Sequence, residues 1–182
     1  ADFDGDGDGD LAVLRGDGQV TVFWSETKRQ QVVLPATTGL CVAGGDVDGD
    51  GRPDLVVGTS EDKLFVVRSG DKTTWRPVES LPGHAASQVV VGRVDGDGAP
   101  DLVPTRFSSA RASGGEQAGA GQGARDAVIV LWGQNPGDAG PLFSRGRQLR
   151  LAAPAAVASA IGDLDGDGQM DLAVAVHQGK GT

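Results

Sequence analysis

Aspartates at alternate positions, separated by glycines, recur four times in this chain. Asp2, Asp4, Asp6, Asp8 and Asp10 form the first set, and Asp46, Asp48, Asp50 and Asp54 the second. Asp95, Asp97 and Asp101 form the third, and Asp163, Asp165, Asp167 and Asp171 the fourth. Carboxylates so spaced in a tight loop converge on one point, and Ca²⁺ is a hard ion that takes several such oxygens. The carboxylates stand at positions 1, 3, 5 and 9 of each loop. The backbone carbonyl of position 7 (Asp8, Arg52, Ala99 or Gln169) adds a further oxygen. Glycines at positions 4 and 6 permit the bend and the positive φ that wrap such a loop round an ion. One Asp-Gly turn would be an ordinary hairpin, but four in register predict metal loops, because unneutralised carboxylates this close repel one another. The third loop departs from the pattern with Arg93 at position 1. Its guanidinium is expected to take the cation's place and pair with Asp97 or Asp101. Three strong Ca²⁺ sites are therefore expected, with the third-loop site weak or empty.

An EF-hand loop opens the same way, but it needs a bidentate Glu at position 12 and flanking helices. Position 12 here is Val13, Val57, Pro104 or Val174, inside apolar runs, which excludes it. Those runs are the elements that must hold the loops. After each of the first three loops comes a short apolar strand, a turn and a second one, at Val20–Trp24, Leu64–Arg68 and Val128–Trp132. Their continuous, Val-rich character suits small sheets covered on both faces. Third strands are predicted at Gln31–Leu34, Trp75–Glu79 and Arg147–Leu151. Fourth strands at Leu40–Ala43, Gln88–Val91 and Val157–Ile161 run straight into the next loop. Four strands per period of about 45 residues is the size of a propeller blade. The predicted fold is an all-β propeller with four-stranded antiparallel blades, one segment over residues 1–182 with repeats starting near 2, 46, 93 and 163. Residues 108–125, rich in Gly, Ala, Ser and Gln, read as a long mobile hairpin insertion in the third repeat.

The pattern Asp-x-Asp-Gly-Asp-Gly-x-x-Asp-Leu between strands resembles the FG-GAP/VCBS repeat, which builds propellers of the integrin α-chain type. The resemblance spans nearly the whole chain, apart from the insertion. It implies that each calcium loop joins the first and second strands of a blade, and that a complete ring has seven blades. On that strand order the first blade lacks its opening strand and the last its closing two. About three and a half blades are then present, and the chain is expected to be part of a larger ring or of an assembly that completes one. The resemblance further implies an extracellular or cell-surface scaffold for adhesion or recognition of proteins or glycans. Two alternatives stand beside it: the propeller portion of a secreted polysaccharide-acting enzyme, and a self-associating subunit of a surface filament or matrix.

Bulk properties narrow the classes. The formal net charge is −9, from 25 Asp and Glu against 16 Lys and Arg. The acids are concentrated in the four loops and the rest of the chain is net basic, so the acidity marks cation sites and not a solvating surface. Scattered basic residues give no support for a nucleic-acid partner. No apolar run is long enough to span a bilayer, since Leu151–Gly162 is short and broken by Pro154. Cys41, the single cysteine, cannot form an internal disulfide. Arg15-Gly16-Asp17 reads as a turn, and Trp24 and Trp132 as blade-packing aromatics. His84 and His177 stand apart from any nucleophile or metal motif, and no enzymatic activity is expected.

Overall fold

A computed structural model describes residues 1–25, 30–34, 38–106, 127–134, 142–144 and 146–177. These form four antiparallel sheets, each a meander in chain order. The first joins β1 (Leu11–Leu14), β2 (Val20–Phe23) and β3 (Gln30–Leu34). The second joins β4 (Gly39–Gly45), β5 (Asp54–Thr59), β6 (Lys63–Val67) and β7 (Glu79–Pro82). The third joins β8 (Gln88–Gly92), β9 (Asp101–Thr105), β10 (Ala127–Leu131) and β11 (Gln148–Ala152). The fourth pairs β12 (Ala156–Gly162) with β13 (Asp171–Val176). No helix occurs among the described residues. The architecture is the all-β arrangement of propeller blades. The strand preceding each acidic loop opens the sheet that follows it, and the insertion at 108–125 lies outside the described residues.

The continuous Val-rich second strands are largely buried: Val20 and Val22 in β2, Leu64, Val66 and Val67 in β6, and Val128 to Leu131 in β10. Every residue of β5 and β9 is buried, because each sheet is covered on both faces by its neighbours. Successive side chains of β5 point to opposite sides. Leu55 and Val57 join Phe3, Val20, Val22 and Trp24 between the first two sheets. Val56, with Leu64 and Val66, meets Val89, Leu102, Ile129 and Leu131 between the second and third. Val103, Val128 and Val130 pack with Ala156, Ile161, Leu172 and Val174 against the fourth. Three apolar layers thus hold four sheets in a row.

The strands that open neighbouring sheets approach closely. A Cβ added at Gly45 would lie 2.7 Å from Val91 Cβ, and one at Gly92 would lie 2.9 Å from Ile161 Cδ1. Glycine at the last position before these loops is therefore a packing requirement between sheets. The third and fourth sheets are also bonded directly. Gln88 Nε2 donates to the Ser159 carbonyl at 3.1 Å, and Ser159 N–H donates to Gln88 Oε1 at 2.8 Å.

One strand lies later than its sequence suggests. The expected third strand at Trp75–Glu79 is β7 at Glu79–Pro82, paired to β6 through Val66↔Glu79 and Lys63↔Pro82. Pro77 has no N–H to give to a ladder, so pairing breaks there. Trp75 makes only an isolated bridge to Ser69.

Candidate metal centre

Each acidic loop is the turn of a hairpin closed at equivalent points, by Gly45↔Asp54, Gly92↔Asp101 and Gly162↔Asp171. In the first loop, Asp10 N–H donates to the Ala1 carbonyl at 2.6 Å. The glycines at positions 4 and 6 all have positive φ, for example 74° and 87° at Gly49 and Gly51 and 74° and 88° at Gly96 and Gly98. Side chains rarely adopt this backbone, which explains the alternation of Gly with Asp.

Three carboxylate positions have distinct work. At position 1, the two oxygens of Asp46 accept N–H bonds from Gly49 at 2.7 Å and Gly51 at 3.0 Å. Asp2 and Asp163 do the same for Gly5 and Gly7 and for Gly166 and Gly168. At position 5, Asp6, Asp50, Asp97 and Asp167 each accept the N–H of position 7. At position 9, Asp54 accepts Val47 N–H at 2.9 Å and Ser69 N–H at 2.7 Å. Asp10 takes Phe3 and Ser25 N–H, and Asp101 takes Val94 and Gly133 N–H. Asp171 accepts Leu164 N–H at 2.9 Å. In the first three repeats the ninth carboxylate therefore ties its loop to the far end of the second strand beyond it. Asp54 and Asp101 are wholly buried. Burial pushes the Asp54 carboxyl up to about 6, against its two N–H donors, and raises Asp101 in the same way.

Several of these carboxylates also gather with the one at position 3. Oxygens of Asp2, Asp4 and Asp6 lie within 4.8 Å of one another, as do those of Asp46, Asp48 and Asp50 and those of Asp163, Asp165 and Asp171. Oxygens at such separations can share one ion at the roughly 2.3–2.6 Å typical of Ca²⁺. The donor set, all hard oxygen, fits that ion and does not suit a soft metal. The third loop forms no such group among the described residues. Arg93 is exposed there and makes no ion pair with Asp97 or Asp101, contrary to the pairing expected from the sequence. Asp97 accepts the Ala99 N–H, and Asp101 accepts those of Val94 and Gly133.

The FG-GAP-like repeat profile matches residues 2–57 and 46–103, and the FG-GAP repeat profile matches residues 155–182. The chain belongs to the FG-GAP repeat family. No curated protein and no solved structure matches it. FG-GAP repeats build propellers, often bind calcium, and typify non-catalytic scaffolds of extracellular or surface proteins. Among the described residues, no helix is long and apolar enough to cross a membrane.

Several contacts of these FG-GAP loops were beyond the reach of the motif itself. Arg68 and Arg76, outside the loops, reach the carboxylates of the second one, with Arg76 Nη1 2.9 Å from Asp48 Oδ2. The donors Ser25 and Ser69 stand at the same distance along the chain from Asp10 and Asp54, a regularity visible in the sequence. Trp24 is buried and packs on Trp75 with centroids 6.1 Å apart, and Trp75 packs on Phe3 at 5.6 Å. Arg15 and Asp17 pair with each other at 3.5 Å at the exposed tip between β1 and β2.

Proposed function

We propose that residues 1–182 form one calcium-stabilised propeller segment that serves as an extracellular or cell-surface scaffold. Its loops display surfaces for adhesion to, or recognition of, proteins or glycans, and it carries no catalysis of its own. The observation that supports this best is the gathering of three carboxylates in the acidic turns of the first, second and fourth repeats of an FG-GAP chain. On this reading Asp2, Asp4 and Asp6, then Asp46, Asp48 and Asp50, then Asp163, Asp165 and Asp171 hold one ion each. The carbonyls of Asp8, Arg52 and Gln169 complete the loops. Bound Ca²⁺ supplies positive charge that neutralises these clusters and ties the turn between two strands, so that binding free energy becomes folding free energy. The protein's own part is to preform the turn. The paired glycines set its curvature, and the ninth aspartate anchors it to the sheet.

Thermal unfolding after chelation, with calcium titrated back, tests the reading on the parent chain and on Asp50→Ala. The melting temperature should rise with calcium, by the equivalent of about 2.7 kcal/mol per site at a hundredfold excess over Kd. Asp50→Ala should lose one site's share. A melting temperature indifferent to calcium would contradict the proposal. Turnover of an acidic polysaccharide by the purified chain would favour the enzyme alternative instead.

A further inference from the structure

The three carboxylate groups are not equivalent: among the described residues, only the second is met by cations of the chain itself. Arg76, from the connection between β6 and β7, spans two aspartates. Its Nη1 lies 2.9 Å from Asp48 Oδ2 and its Nη2 3.2 Å from Asp50 Oδ2. Arg68 adds Nη1 at 3.5 Å from Asp48 Oδ2 and is itself held by Glu79. Arg52 brings Nη2 to 3.3 Å from Asp50 Oδ2 and also donates to the Gly70 carbonyl. Asp48 is buried beneath these groups. No Lys or Arg among the described residues pairs with Asp2, Asp4 or Asp6, nor with Asp163, Asp165 or Asp171.

A guanidinium fork bridging two carboxylates is a strong, directional counter-ion. It offsets the mutual repulsion of the carboxylates it bridges. The same positive charge opposes a divalent ion on the same oxygens, and ligand charge is what sets calcium affinity in such loops. We propose that Arg76, seconded by Arg68, is a built-in counter-ion that preserves the second loop without calcium and makes it the weakest of the three calcium sites. This rests on the loops being calcium sites at all. The consequence is a graded response: the first and fourth loops fill at low calcium, and the second fills last, at the expense of its tie to the β6–β7 connection.

Backbone amide NMR during a calcium titration of the whole chain reads each loop separately, through Gly7, Gly51 and Gly168. In the parent, the Gly51 midpoint should lie about tenfold higher in free calcium than those of Gly7 and Gly168, the scale on which ligand charge tunes such sites. Arg76→Gln should lower the Gly51 midpoint toward the other two and leave them unchanged. Arg76→Lys, which keeps the charge but loses the fork, should fall between. Should Arg76→Gln fail to fold, the order of filling in the parent still decides. Gly51 titrating together with Gly7 and Gly168, or a midpoint unmoved or raised by Arg76→Gln, would overturn the counter-ion role while leaving the calcium loops standing. If none of the three amides responds to calcium, the reading of the loops as calcium sites falls, and the proposal with it.

Discussion

The second and third acidic loops have almost the same backbone and differ in one decisive side chain. Gly49 and Gly51 in one, and Gly96 and Gly98 in the other, have φ values within a degree of each other. Asp54 and Asp101 are buried alike and accept equivalent pairs of backbone donors, Val47 and Ser69 in one and Val94 and Gly133 in the other. Among the four acid positions they part only at position 1, with Asp46 in one and Arg93 in the other; position 7 differs as well, Arg52 against Ala99. The loop with Asp46 gathers three carboxylates, and the loop with Arg93 gathers none. The turn thus keeps its glycine geometry with either residue at position 1, while a group of three carboxylates forms only with Asp46. Fold and cation chemistry occupy separate positions of one short motif.

The largest effect should come from the shared part. Asp54→Asn and Asp101→Asn each turn an amide NH₂ toward a buried N–H and leave that donor unpaired, which should cost about 2–3 kcal/mol. Urea unfolding in chelator should give similar losses for both. A loss confined to Asp54 would break the equivalence of the two loops. Arg93→Asp should make the third loop like the second and add a calcium-dependent gain of about 2.7 kcal/mol at saturating ion, absent in chelator. Differential scanning with and without calcium measures it, and no gain would mean that position 1 is not what separates the loops.

Smaller effects sharpen the boundary between turn and packing. Gly45→Ala places a Cβ 2.7 Å from Val91 Cβ and should cost about 1–2 kcal/mol by overpacking. Gly162→Ala, whose nearest neighbour is Leu164 Cδ2 at 3.9 Å, should cost less in the same denaturation assay. Asp17→Asn removes an acid outside the loops whose partner Arg15 is exposed, and should change stability by less than about 0.5 kcal/mol at any calcium level. A calcium-dependent effect there would mean that the response is general screening and not loop binding.

Much of this was legible in the residues. The repeat of Asp and Gly located all four turns, and the continuous Val-rich runs marked the largely buried strands β2, β6 and β10. β7 was misplaced because Trp75–Glu79 has strand-like composition, while Pro77 denies the ladder a donor. The charge around the second loop was hidden because Arg68 and Arg76 are ordinary residues of a connection. Only the chain's return past Asp48 brings them to the carboxylates. The anchoring by the ninth aspartate was partly readable: Ser25 and Ser69 keep one spacing from Asp10 and Asp54. In the third repeat, the longer connection moves the equivalent donor to Gly133 and conceals the rule.

Calcium stoichiometry by equilibrium dialysis of the metal-free chain tests the central claim most directly. Three ions per chain are predicted, one for each carboxylate group, with one lost on Asp46→Arg and one gained on Arg93→Asp. A chain that binds no calcium, or that keeps the same number through both substitutions, would contradict the account.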